Sequence, residues 1–483
     1  MKVRLLIHGI LPAVLTAVLM CACGHGNPEV QVSEDAPVYP DYNGVTVPSN
    51  IAPMNFGIRG AKAMSTVWKL EGKELLTVKG KDYVDVPESK WSSLLQQAKG
   101  KDVEVTISVW NETYPNGATF KPLIIHIAEE NIDNWLAYRL IPPGYENWNR
   151  MGIYERNLSS FEVKTLVENH QNNEGCVNCH QFCNWSPDNM MFHACGKGGG
   201  TVVVTDGAPK KVVLAELSGG RSGTYPAFHP KGRYIAFSNN KTHQVFYARS
   251  RDKVEVYDAQ SDLMFYDVKS GKVLTDERFN GAEDWETFPT FSPDGKMLYF
   301  CTGPAVDMPQ DYEKLHYSIC RIPFNEADGT LGEQVDTVYS ASRQGGSVSF
   351  PRISPDGRYL LYTWAECATF PIHHKEADLQ MIDLENNEMV DVSVLNSEDV
   401  DSYHSWSSNG HWVALSSKRQ DGQFTKLYLS HFENGQFTKP FLLPQKNPYQ
   451  NDGILFSYNI PEFITKPADF GKNALAELFR IKK

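Results

Sequence analysis

Two stretches, FPTFSPDGKMLYFCT (residues 288–302) and FPRISPDGRYLLYTW (residues 350–364), carry the same pattern. An apolar residue precedes Ser-Pro-Asp-Gly, and apolar residues alternate after it. Proline presets φ for a type I turn, aspartate bonds the local backbone, and glycine takes the left-handed position that closes the turn. Each stretch is therefore read as an antiparallel hairpin with a buried face.

Working outward, FCNWSPDNMMFHACG from Phe182, YPAFHPKGRYIAFSN from Tyr225 and YHSWSSNGHWVALSS from Tyr403 follow the same plan. The apolar position before the turn is Trp185, Phe228, Phe291, Ile353 or Trp406, and the one after it is Phe192, Ile235, Leu298, Leu360 or Val413. Further strand pairs follow around polar turns, as in LMFYDVKSGKVLTDE, LQMIDLENNEMVDV and LYLSHFENGQFTKPFLLP. Two pairs make a four-stranded sheet, and copies spaced roughly 43 to 63 residues apart are what a β-propeller requires. Five copies are visible. A sixth would come from less regular chain, with GILFSYNIPEF near residue 455 helping closure, so five or six blades are expected and six is preferred.

Ahead of the repeats, residues 45–130 alternate short strands with one brief helix at SKWSSLLQQAKG, the pattern of a small β-sandwich. Residues 131–175 read as a connector whose start, Trp135 to Leu140, is helical in pattern before Pro142 and Pro143 stop it. The propeller then occupies 176–470, and the chain as a whole is mainly β.

The N-terminus, residues 1–22, has a basic start at Lys2 and Arg4 and an apolar run too short to span a membrane. Cys23 follows Ala22 as in a bacterial lipobox and is the expected lipidated residue, ordinary secretion without lipid being the alternative. Residues 23–44 are polar and proline-punctuated, which suits a tether. The formal net charge of −12 and the lack of a basic stripe argue against a nucleic-acid partner.

In this exported context CVNCHQFC (residues 176–183) has the Cys-x-x-Cys-His spacing of c-type haem attachment. Cys176 and Cys179 would form the thioethers and His180 would ligate the iron. A zinc site using Cys183 as well, or a disulfide between Cys176 and Cys179, are the other readings. For the second axial ligand the candidates are His193, Met190, Met191 and His170, with Arg139, Arg150 and Arg156 as propionate partners. Among the remaining cysteines, Cys183 with Cys195 and Cys301 with Cys320 are possible pairs, leaving Cys367 free.

Taken together, the lipobox, YRLIPPGYENWNRMGIYERNL, CVNCH, MMFHACGKGGGT, FPIHHKEADL and YHSWSSNGHW resemble Bacteroidetes envelope lipoproteins with TolB-like, WD-like propeller repeats and a single cytochrome c motif. The resemblance implies one covalent haem c, electron transfer with a redox partner in the periplasm, and a lipid anchor on the periplasmic face of the outer membrane. Its TolB-like side implies instead a haem-free scaffold that binds an envelope protein or glycan. For an enzyme the sequence says little: there is no Gly-x-Ser-x-Gly elbow, and GKGGGT lacks phosphate-loop spacing. His373, His374, Lys375 and Glu376, and likewise Glu283, Asp284 and Glu286, are read as polar surface loops.

Overall fold

A computed structural model describes residues 26–142, 150–246, 254–471 and 474–480. The lipidation candidate Cys23 and the signal segment lie outside the described residues.

Apolar alternation on both faces of short strands drives sheets to stack face to face, and here six sheets do so around an axis. Their innermost strands are Val177–Cys183, Thr224–Phe228, Asp284–Phe291, Ser347–Ile353, Asp401–Trp406 and Ser457–Ile464. Each touches the next, and the last touches the first, so the ring is closed and six-bladed. Apolar clusters fill the gaps between blades; Met190 and Phe192, for example, pack with Trp135, Ile153 and Ile464.

The sixth sheet comes from the two ends of the propeller chain. Trp135–Ile141, Gly152–Asn157 and Val163–Glu168 form three strands of blade one, and Ser457–Ile464 supplies its inner strand. The segment read as a connector is therefore mostly blade, and Trp135 to Leu140 is strand rather than helix. Its apolar residues have sheet neighbours on both sides, which overrides local helical pattern.

A second difference lies in blade two. Phe182 pairs with Met190 as Phe228 pairs with Ile235, so Phe182 and Met190 hold the core positions assigned to Trp185 and Phe192. The hairpin turns at Asn184 and Trp185, both at positive φ, and Ser186 begins the next strand. Consecutive left-handed residues suit a tight hairpin, and they let the chain turn before the Ser-Pro-Asp sequence.

All six inner strands break register at the same place. The residues there, Cys179, Tyr225, Phe288, Phe350, Tyr403 and Ile460, have φ between 41° and 52°. A left-handed non-glycine residue costs roughly 1–2 kcal/mol, and six equivalent ones imply a common purpose. They meet at the axis. Ring centroids are 4.4 Å apart for Tyr225 and Phe288, 4.3 Å for Phe288 and Phe350, and 4.8 Å for Phe350 and Tyr403. Aromatic packing at these distances forms a collar that narrows the channel.

The N-terminal unit is built on a seven-stranded mixed sheet. Its second layer is the helix Glu88–Ala98, which buries Trp91, Leu94 and Leu95, with Trp91 edge-on to Trp68 at 5.6 Å. Part of the expected tether joins this sheet: Val30–Asp35 pairs in parallel with Ala118–Lys121. The core of the unit continues into blade six through Trp412, Leu427, Leu429 and Phe441. Asp133 fastens the junction, accepting from Ser408 N at 2.7 Å and from Ser408 Oγ at 2.6 Å.

Candidate functional site

On one side of the collar the channel mouth is crossed by a hairpin. The strands Tyr234–Phe246 and Val254–Asp267 of blade three stay paired well beyond the sheet, through Thr242 with Asp258 to Phe246 with Val254. Asp258, 1% exposed, accepts from Asn240 Nδ2 and Thr242 Oγ1, both at 2.7 Å. Burial pushes its carboxyl up to about 6, against those hydrogen bonds. Further along, Glu255 Oε2 lies 3.2 Å from His374 Nε2 of blade five, whose Nδ1 lies 3.2 Å from Glu376 Oε1. Burial disfavours a charged ring here, but the two carboxylates outweigh it and raise His374 to about 10. The polar loop expected at FPIHHKEADL thus contributes His374 and Glu376 to a partly buried ion cluster that ties blade three to blade five.

On the other side of the collar lies a small axial cavity that is partly open to solvent. Tyr225, Phe288 and Phe350 form its floor, Pro226, Pro289 and Ile460 its walls, and Cys179, His180 and Arg352 its polar groups. The inner strand places two of the polar groups: the bulge at Cys179 turns that thiol and the next residue, His180, towards the axis. His180 is 2% exposed, and neither ring nitrogen makes a well-formed hydrogen bond among the described residues, although the Ile460 backbone lies near enough to favour the charged ring. Burial, then the charge of Arg139, lowers its pKa to about 3, which keeps the imidazole neutral. Arg139 reaches in from blade one, close enough for its charge to act on Cys179, His180, Tyr225 and Tyr403. Arg352 Nη2 is 3.8 Å from Glu462 Oε1. Glu462 also accepts from Phe182 N at 3.0 Å, yet burial raises its carboxyl to about 7. The cavity therefore joins an aromatic floor to the guanidinium of Arg352 and a neutral imidazole, with the charge of Arg139 acting from nearby.

Of the residues expected to hold haem, Cys179 and His180 line this cavity and Cys176 does not. Cys176 forms a disulfide with Cys195, so its sulfur is not a thiol, and it packs among the residues between blades one and two. Two thioethers also require both sulfurs at one macrocycle, and CVNCH runs here as a blade strand. The residues as bonded do not fit a doubly attached haem c.

The second-ligand candidates lie elsewhere too. His193 Nδ1 is 3.1 Å from Thr201 Oγ1 on the next strand, and its partner across the hairpin is Asn178. Met190 and Met191 are fully buried in two different clusters on opposite faces of the blade. His170 is largely exposed, with Nδ1 3.2 Å from Glu168 Oε2. Among the propionate candidates, Arg150 points to Glu168, while buried Arg156 donates to the carbonyls of Asn157, Ser160 and Pro444. Only Arg139 approaches the axis.

The cysteine pairs change as well. Cys195 closes the first hairpin with Cys176, not Cys183, whose thiol points to the carbonyls of His229 and Pro230 at 3.5 Å. Cys301 pairs in register with Ile319 and lies in the cluster between blades four and five, whereas Cys320 lies between blades three and four. Facing opposite sides of one sheet, they do not bond, and both are free with Cys367.

Sequence reasoning missed Arg352 and the collar. The signal was present: Tyr225, Phe288, Phe350 and Ile460 each precede proline, and Cys179 and Tyr403 each precede histidine. Had CVNCH been aligned on that dipeptide, it would have fallen on the inner strand.

No family model matches the chain, and no curated protein matches it. Solved structures with similar folds include a TolB of Agrobacterium tumefaciens, 13% identical over 69% of this chain and 99% of that one, with a TM-score of 0.37. An oligogalacturonate lyase of Vibrio parahaemolyticus is 14% identical over 59% of this chain and 70% of its own, with a TM-score of 0.36. The fold is a mainly β, six-bladed propeller. No helix among the described residues is long and apolar enough to cross a membrane.

Proposed function

We propose that this protein is a haem-free propeller binding protein of the cell envelope, anchored by lipid on Cys23, whose axial cavity takes a carboxylate-bearing ligand. The observation that carries the reading is that Arg352 and the buried, neutral imidazole of His180 line one cavity above an aromatic floor, with the charge of Arg139 close by. An acidic sugar at the end of an envelope glycan has the matching chemistry: a carboxylate for the guanidiniums, hydroxyls for the imidazole, and an apolar ring face for Phe288 and Phe350. In the free protein the carboxylate opposite Arg352 is that of Glu462.

Calorimetric titration of the mature chain with a uronic acid and with the matching neutral sugar tests this reading. Binding is expected for the acid alone. Arg352→Gln should weaken it by about 2 kcal/mol, roughly thirtyfold. Equal responses to the two sugars, or an unaffected variant, would overturn it.

One observation favours a second reading as a haem c electron carrier: Cys179 and His180 face the same cavity. That reading needs the Cys176–Cys195 bond opened before attachment. A pyridine haemochrome spectrum of denatured protein, made in cells with active cytochrome c maturation, decides it. No c-type band is expected, and a band that disappears in Cys176→Ala/Cys179→Ala would replace the first reading.

A further inference from the structure

We propose that Glu130, His411 and His431 form a Zn²⁺ site that pins the N-terminal unit to blade six. One carboxylate oxygen and two imidazole nitrogens lie within 4.8 Å of one another. His431 is 6% exposed. Its Nε2 and the Nδ1 of His411 are shielded from water and make no hydrogen bond among the described residues. The two rings are stacked, with centroids 6.2 Å apart and planes 12° from parallel.

An unmet buried nitrogen costs roughly 1–3 kcal/mol, and two of them in one cluster with a carboxylate call for a shared partner. A proton can serve as one. With His431 charged, Nε2 at 3.4 Å from Glu130 Oε2 is an ion pair. That arrangement leaves His411 Nδ1 unmet. A cation between the three groups satisfies all of them at once.

The scaffold holds the ligands in place. His431 lies on the strand Lys426–Glu433 opposite Trp412, and its carbonyl accepts from Thr438 N at 2.9 Å. The carbonyl of His411 accepts from Phe432 N at 2.8 Å, so the two imidazoles come from neighbouring paired strands. Glu130 comes from the other unit, in a loop whose Asn131 carbonyl accepts from Asn409 Nδ2 at 2.7 Å. In a tetrahedral zinc sphere the ligand atoms stand about 3.3 Å apart. Small side-chain rotations reach that spacing from the one observed.

The donor set selects the metal. Two imidazoles exclude Ca²⁺ and Mg²⁺, which take oxygen, and a carboxylate with two nitrogens suits Zn²⁺. Glu130 and His411 are only partly buried, which leaves room for water as a fourth ligand.

The test uses tag-free mature protein, stripped with chelator, titrated with ZnCl₂ and desalted. One zinc per chain is expected by elemental analysis, with a rise in Tm on zinc addition. Glu130→Gln, which preserves size, should weaken zinc binding at least about tenfold, and His411→Ala/His431→Ala should abolish both the binding and the rise in Tm. The near-ultraviolet circular dichroism of each variant reports whether it folds. Wild-type protein that retains no zinc, or variants that retain as much as wild type, would overturn the proposal. The uronic acid titration is independent of either result.

Discussion

Glu286 lies between blades three and four, 3% exposed, and one of its carboxylate oxygens has no partner among the described residues. Burial, then the charges of Asp262 and Asp284, raises its carboxyl to about 8. The folded state therefore holds a proton that the unfolded chain releases near 4.5. Stability falls as pH rises from 4.5 through 8, because over that range the native state binds more protons. Glu286→Gln removes the liability. In urea denaturation the variant should gain on wild type by on the order of 2–4 kcal/mol at pH 9 and by much less at pH 5; equal gains at both would show that this carboxyl does not titrate as described. EDWETFP gave no hint of this in the sequence. Its polarity suggests a solvated loop, and what buries Glu286 is its register opposite Thr302 on a strand covered on both faces.

At the scale of the element, the hairpin of Val177–Cys183 with Ser186–Ala194 shows why some readings held and one did not. Its alternation and its place at the start of the repeats were legible, because a strand with buried faces writes its period into the sequence. The turn was not. Ser-Pro-Asp-Asn copies the motif of the other blades, but the chain turns earlier at Asn184 and Trp185, where Trp185 Nε1 donates to the Trp406 carbonyl at 2.8 Å. The Cys-x-x-Cys-His spacing left the backbone open for a related reason: a spacing rule does not say whether the chain is coiled or extended, and here it is a strand. Cys195 cross-links the two strands at their far end, 19 residues from Cys176. Closing a loop of that size stabilises by about 3 kcal/mol in the chain-entropy description. Cys195→Ser should therefore lower stability by about 2–3 kcal/mol, read as a lower urea midpoint that reductant no longer shifts. A variant whose midpoint still drops in reductant would mean that the pairing is different.

Across the whole molecule, the N-terminal unit and the propeller share one apolar core. Tyr42 Oη donates to the Leu442 carbonyl at 3.4 Å, and Lys439 Nζ lies 2.7 Å from Asp41 Oδ2, so the outer edge of the junction is stitched as well. Calorimetry should accordingly show a single unfolding transition; two resolved transitions would mean that the shared core contributes little. The repeats made the propeller readable, yet blade one hid from that reading because no repeat copy encodes it. Three of its strands precede the first copy and the fourth follows the last. That division has a temporal consequence. A chain emerges from the ribosome N-terminus first, so blade one presents a bare edge until Ser457–Ile464 arrives. Any chain interrupted before that strand is left with a gap that a neighbouring copy can fill, which makes the arrival of Ser457–Ile464 the step at which a monomer is chosen over an aggregate.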